Sequence, residues 1–115
     1  MRVDKFVEKL KFFSKGNLGN AKVVKVDFDK DIIIRYVSKV NATFDNGTGL
    51  SLCFEYSNDE SKGLSVNQLI DALKEFNHDQ YFPYTPVLMK AYGAKVKEIK
   101  SATMYKTDNT FVVIS

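Results

Sequence analysis

Apolar residues recur at helical spacing in two stretches of the chain, 3–13 and 64–76. In the second stretch, LSVNQLIDALKEF, Ser65 and Gln68 have the spacing of a capping box at a helix start. The polar residues between the apolar ones fall on the opposite side, as expected for an amphipathic helix. The apolar stripe consists of Val66, Leu69, Ile70, Leu73 and Phe76.

The first helical stretch, Val3–Phe13, resembles Val66–Phe76 at an offset of 63 residues. The identical pairs are Val3/Val66, Leu10/Leu73, Lys11/Lys74 and Phe13/Phe76. We interpret this match as an internal duplication, with pseudo-repeats 1–57 and 64–115 connected by residues 58–63.

Alternation of apolar and polar positions predicts three strands after each helix. The predicted strands are 21–28, 32–44 and 50–57 in the first half, and 87–92, 95–106 and 111–114 in the second. The pattern therefore predicts an α+β fold in which residues 1–115 form a single domain of the form αβββ-αβββ. In this fold an antiparallel sheet has two helices packed on one face.

The strand faces that supply the core follow from the same alternation. In the first strand, Val24, Val26 and Phe28 share one face and Val23 lies on the other. The long second strand has one mainly apolar face, which is expected to face the helices while the other face is wet. That apolar face consists of Ile32, Ile34, Tyr36, Ser38, Val40, Ala42 and Phe44.

Composition narrows the class of protein. Of the 115 residues, 44% are hydrophobic and 27% charged, which is typical of an ordinary globular protein, and the net charge of +3 requires neither a nucleic-acid nor a membrane partner. The single cysteine, Cys53, excludes an internal disulfide and an all-cysteine metal site. No apolar run is long enough for a signal peptide or a membrane span, so the expected location is the cytoplasm.

Residues that carry catalytic or metal chemistry are sparse. The only histidine, His78, has no nucleophile or orienting partner placed beside it by the sequence. Asp27, Asp29 and Asp31 imitate the start of a calcium loop, but the sixth and twelfth positions lack the required Gly and Glu, which favours a hairpin with solvated carboxylates. We therefore predict no catalytic residue, metal or cofactor, and a protein that is not an enzyme.

The loop Asn77–Pro86 contains three closely spaced aromatic residues, Tyr81, Phe82 and Tyr84. Aromatic side chains on loops often anchor partner proteins, because rigid rings cover much area with little loss of entropy. The alternative is that these rings close one end of the core. Both interpretations remain open, and the three residues are the first predicted partner-binding residues.

Lysines are concentrated in the second half of the chain, at Lys90, Lys95, Lys97, Lys100 and Lys106. On a sheet face they would form a basic stripe suited to phosphates or to an acidic protein surface. The alternative is that they only solvate the sheet and protect its edges. Lys95, Lys97 and Lys100 complete the predicted partner-binding set.

The segments VNQLIDALKEF, TPVLM and NTFVVIS resemble small uncharacterised proteins of phages and mobile elements. This resemblance implies a protein that binds and blocks a host protein, including defence proteins such as a CRISPR effector. We therefore expect a non-enzymatic protein-binding module, with a nucleic-acid-binding protein that uses the lysine-rich face as the alternative. A homodimer is also expected if the last strand leaves an open edge.

Overall fold

The computed structural model describes residues 1–28, 30–45, 49–76, 87–90, 96–106 and 109–115. The helices in these ranges are α1 (Val3–Phe13) and α2 (Val66–Lys74). The strands are β1 (Lys22–Phe28), β2 (Ile32–Asp45), β3 (Gly49–Ser57), β4 (Val87–Lys90), β5 (Val96–Glu98), β6 (Ala102–Lys106) and β7 (Thr110–Ile114). A π-helical turn, Ser14–Leu18, follows α1, and a short 3-10 helix, Glu60–Lys62, precedes α2.

Both helices form where the apolar spacing predicts them. α1 has the predicted bounds, and α2 ends at Lys74 instead of Phe76. The capping box is confirmed: the backbone N–H of Gln68 donates to Ser65 Oγ at 3.2 Å, and the backbone N–H of Ser65 donates to Gln68 Oε1 at 2.9 Å. The two reciprocal bonds satisfy donors that the helix itself leaves unpaired.

Replacing Ser65 with alanine is expected to lower the free energy of unfolding by about 1 kcal/mol, because the backbone N–H of Gln68, in the first helical turn, loses its acceptor. Ser65→Thr keeps an acceptor oxygen at the same place and should retain most of the stability. Urea denaturation of both variants measures the difference. Equal loss in the two variants would show that the hydroxyl does not stabilise the helix start.

The strands form one mixed sheet in the order β5-β4-β3-β2-β1-β7-β6. The α+β class is confirmed, but the prediction of an antiparallel sheet is wrong at two places, since β1 pairs with β7 and β3 with β4 in parallel. The strands of the first half, β1–β3, lie in the centre, and those of the second half flank them on both sides through these parallel pairs. The predicted strand 95–106 is divided into β5 and β6. The duplication of the two halves stays a prediction.

The last strand does not leave an open edge. β7 lies between β1 and β6, so the predicted pairing edge at residues 111–114 is wrong. The sequence pattern could not show this, because the partner on one side, β1, lies at the other end of the chain. The homodimer stays a prediction, but β7 does not supply the open edge on which it was based.

The sheet must be strongly curled, because its two outermost strands are almost consecutive in the chain. Three residues, 99–101, separate β5 from β6, and these steps span at most about 15 Å. A flat sheet of this order would hold the two strands about 29 Å apart. Backbone hydrogen bonds from Ile99 to Val87 and from Lys100 to Ser115 join the connection to both sides of the sheet.

The core lies between the helices and the face of the sheet that we call the inner face. One cluster of buried side chains joins both helices to strands from both halves, and the ring centroids of Phe6 and Phe54 lie 5.7 Å apart within it. Neither α1 nor α2 packs on the opposite, outer face of the described strands, but the 3-10 helix Glu60–Lys62 contacts β2. Members of the cluster on the helices are Val3, Phe6, Leu10, Val66, Leu69, Ile70 and Leu73, and members on the strands include Val23, Val37, Val40, Leu52, Phe54, Val112 and Ile114.

Candidate interaction surfaces

Most of the predicted partner-binding residues fall outside the part of the chain that the structure describes. Tyr81, Phe82, Tyr84 and Lys95 all lie there, as does the whole loop 77–86. The backbone of Lys97 pairs with Met89 between β5 and β4. Lys100 is exposed, and its backbone N–H donates to the carbonyl of Ser115 at 2.8 Å. The predicted binding role of these residues stays a prediction.

In the predicted lysine stripe, the structure describes the side chains of Lys100 and Lys106 only. Lys100 and Lys106 are both exposed. They are six positions apart, which corresponds to roughly 20 Å along an extended strand. These two lysines therefore do not form a compact basic patch by themselves, and the nucleic-acid alternative stays a prediction.

The carboxylates considered for calcium have a different role where the structure describes them. Asp27 is half-buried and binds two cations, with Arg35 Nε donating to Oδ2 at 2.6 Å and Lys25 Nζ lying 3.5 Å from Oδ1. The prediction of a solvated carboxylate is thus wrong for Asp27, whereas it fits Asp31, which is exposed. Asp29 and His78 lie outside the described residues. Among the described residues, no group of His, Cys, Asp and Glu side chains could hold a metal ion.

A β-bulge in β2 reverses which side chains face the core. The pairing of β2 with β3 shifts register between Val37 and Lys39, so Ser38 is an extra residue in the strand. An extra residue moves every later side chain to the other face. Consequently Val37 and Val40 both point to the inner face and are buried, whereas a strand without the bulge would place them on opposite faces.

The first part of the predicted core face of β2 is therefore on the outside of the sheet. Ile32 is 66% exposed, and Phe28, its pairing partner on β1, is 80% exposed. The core position in β1 is Val23, which is fully buried and belongs to the core cluster. The prediction that Ile32, Ile34 and Tyr36 face the helices is wrong for this reason.

Registers across four strands place a continuous set of apolar side chains on the outer face. Tyr105 lies opposite Phe111, and the rings of Phe111 and Tyr36 meet edge to face with centroids 6.2 Å apart. We call this set the outer apolar face. Its members are Val24, Val26 and Phe28 on β1, Ile32, Ile34 and Tyr36 on β2, Thr103 and Tyr105 on β6, and Phe111 and Val113 on β7.

The outer apolar face has a staggered outline. Its members on β1 and β2 span about 13 Å along the strands, and its members on β7 and β6 span about 7 Å beside the start of β1. Its most exposed members are Phe28, Ile32 and Tyr105, whereas Val24 and Phe111 are buried. Exposed apolar patches on monomeric proteins are often functional.

A polar cluster lies on the inner face at the end of β1 nearest the β1–β2 turn. It contains Lys25, Asp27, Arg35 and Tyr56. Lys25 is only 5% exposed, and its Nζ lies 4.7 Å from the centre of the Tyr56 ring. Arg35 also donates to Asn58 Oδ1 at 3.3 Å. Two cations and a carboxylate at these distances form a network that ties β1, β2 and β3 together.

Tyr56 completes this cluster through its ring, which lies under Lys25. Burial raises the pKa of its hydroxyl well above the ordinary value, and the nearby Cys53 and Asp27 raise it further. The phenol therefore stays neutral at physiological pH. Among the described residues, its buried oxygen has no hydrogen-bond partner, so Tyr56 contributes mainly its ring.

Comparison with protein-family models, curated proteins and solved structures found no match to this chain. Among the described helices, none has the length and apolar content to cross a membrane.

Proposed function

We propose that this chain is a non-enzymatic protein-binding module and that it docks a partner protein through the outer apolar face. The observation that carries the proposal is the exposure of Phe28 and Ile32, at 80% and 66%, as a directly opposed pair. An isolated exposed apolar residue needs no explanation, but an exposed pair with further apolar neighbours on the same sheet face is typical of an interaction site.

The shape of this face favours a protein over a small molecule. Small ligands bind in concave sites that enclose most of their surface. The outer face of a curled sheet is convex, so it meets a second broad surface instead. Aromatic residues are enriched where such surfaces meet, and Phe28, Tyr36 and Tyr105 supply them here.

The size of the face also fits a protein interface. The face covers roughly 200 Å², and a standard interface buries about 800 Å² on each partner, with a polar rim around an apolar centre. Exposed polar residues border the face at Lys30 and Asp31 on one side and at Lys106 on the other. The outer apolar face would therefore form the centre of an interface of ordinary size.

Removing the most exposed pair is expected to abolish partner binding without unfolding the chain. In Phe28→Ser/Ile32→Ser, both changed side chains point to solvent, so each should alter the free energy of unfolding by less than about 0.5 kcal/mol. Binding should weaken at least about tenfold, because buried apolar residues at the centre of an interface are its hot spots.

The first measurement is a pulldown with the tagged full chain from a nuclease-treated lysate of the cells in which it occurs. The recovered protein is then titrated against each variant to measure its affinity. Met104→Ser is the control, because it also removes an exposed apolar side chain, at 55%, but from the opposite face of β6. Host defence proteins, expected from the resemblance to phage proteins, are the first partners to test.

Recovery of a stoichiometric protein by the control but not by Phe28→Ser/Ile32→Ser would support the proposal. Equal recovery by both variants would contradict it, since the outer apolar face would then make no contact. Recovery of nucleic acid alone, lost on nuclease treatment, would favour the lysine-dependent alternative.

A further inference from the structure

The solvent-facing side of α1 carries an aromatic ring that the core does not use. Phe12 is 73% exposed, whereas the apolar stripe of the same helix is buried. The ring of Phe13, which packs against the core, meets Phe12 edge to face with centroids 5.9 Å apart. Phe12 is therefore held in place by a neighbour and still exposes most of its surface.

Phe12 and Glu8, one helical turn apart, form a ridge between two shallow hollows on this side of α1. One hollow has a volume of about 420 Å³ and the other about 390 Å³. Besides the ridge, the first is lined by Met1, Lys5, Lys9 and Phe13. The second is lined by Asp4, Val7, Lys11 and Lys15.

The charges around Phe12 do not balance. Asp4 binds Arg2 at 3.1 Å, and Glu8 lies 3.7 Å from Lys5, so both carboxylates of α1 have a cation on the helix itself. Lys9, Lys11 and Lys15 are exposed, and no carboxylate among the described residues pairs with them. The surface beside each hollow is therefore positively charged.

We propose that Phe12 with Lys9, Lys11 and Lys15, the α1 basic face, binds an acidic segment of a partner protein that places an apolar side chain against Phe12. The three lysines supply charge complementarity to carboxylates, which steers association and sets specificity. The ring and the adjacent hollows receive the apolar side chain. This surface is separate from the outer apolar face, because α1 packs on the inner face of the sheet.

Nucleic acid and membrane fit this surface less well. Three lysines can neutralise about three phosphates, whereas nucleic-acid sites typically make about six to ten such contacts. At an anionic membrane the three lysines would contribute about 3 kcal/mol to the free energy of binding, and the ring of Phe12 about 2 kcal/mol. Together they would bind no more tightly than a single acyl chain, which gives only marginal attachment. The apolar stripe of α1 cannot add to this, since Val3, Phe6 and Leu10 are buried in the core.

The test uses the full chain and a fluorescein-labelled peptide of twelve residues with eight Asp and Glu residues around a central Leu-Phe pair. The wild-type chain should bind this peptide, and binding should weaken as salt rises from about 50 to about 300 mM. Lys9→Glu/Lys11→Glu/Lys15→Glu and, separately, Phe12→Ser should each reduce the affinity about tenfold or more. Fluorescence anisotropy measures all three.

The matched control is Lys62→Glu/Lys100→Glu/Lys106→Glu, which changes exposed lysines elsewhere and alters the net charge of +3 by the same amount. This control and Phe28→Ser/Ile32→Ser should bind the peptide like the wild type, so a failure here is distinguishable from a failure of the outer apolar face. Equal losses in the two triple variants, or no binding by the wild type, would overturn the proposal. Tighter binding of a thymidine oligonucleotide or of phosphatidylserine vesicles would overturn it as well.

Discussion

Replacing Phe6 with alanine is expected to lower the free energy of unfolding by about 3–5 kcal/mol, because the change opens a cavity in the core as well as removing buried apolar surface. Phe6 is fully buried, and its ring lies 5.7 Å from that of Phe54. A loss of this size is a large part of the stability of a domain of this length, which is about 5–15 kcal/mol in total.

Phe12→Ala is the matched control, since it removes the same side chain from the same helix at a position that is 73% exposed. It should change the free energy of unfolding by less than about 0.5 kcal/mol. Urea denaturation followed by circular dichroism gives both values. Similar losses in the two variants would mean that α1 does not bury the face described here.

Replacing Asp27 with asparagine is expected to lower the free energy of unfolding by about 3 kcal/mol, because it removes a negative charge from beside two largely buried cations. Lys25 is 5% exposed, and Arg35 donates to Asp27 at 2.6 Å. The amide keeps the shape of the side chain, so the change isolates the charge.

The control for this change is Asp31→Asn, four residues later in the chain, where the aspartate is exposed. Its effect should stay within about 0.5 kcal/mol. Thermal and urea denaturation at neutral pH compare the two variants. An equal, small effect in both would show that the ion pairs of the polar cluster contribute no net stability.

The helices could be predicted from the sequence because their determinants are local. Apolar spacing of three and four residues defines α1, and Ser65 with Gln68 defines the start of α2. Each of these signals lies within one or two helical turns, so no knowledge of the rest of the chain is needed.

The faces of β2 could not be predicted, because the alternation rule assumes an unbroken strand. Ile32 and Ala42 occupy the same parity in the sequence, yet the extra residue at Ser38 places them on opposite faces of the sheet. The only local sign is the polar pair Ser38 and Lys39 between apolar positions, which a continuous strand tolerates equally well.

The same error concealed the outer apolar face. Alternation places Phe28 and Ile32 on apolar strand faces that should supply the core, so the pattern gives no sign that they are exposed. The sequence instead predicts binding aromatics in the loop 77–86, which lies outside the described residues. The face becomes visible only when the pairing of β1 with β7 is known. That pairing brings Phe111, and Tyr105 opposite it on β6, next to the apolar side chains of β1.

The parallel pairing of β1 with β7 also determines when the chain can fold. The paired residues Val23 and Val112 are about 90 positions apart, and such distant contacts form late and slowly. At ordinary rates of synthesis, roughly 5–20 s pass between the translation of β1 and that of β7. During that interval the unpaired edge of β1 and the side chain of Phe28 are exposed together. Nascent chains of this protein should therefore depend on chaperones. For the same reason, refolding of the purified chain should be slow and sensitive to protein concentration.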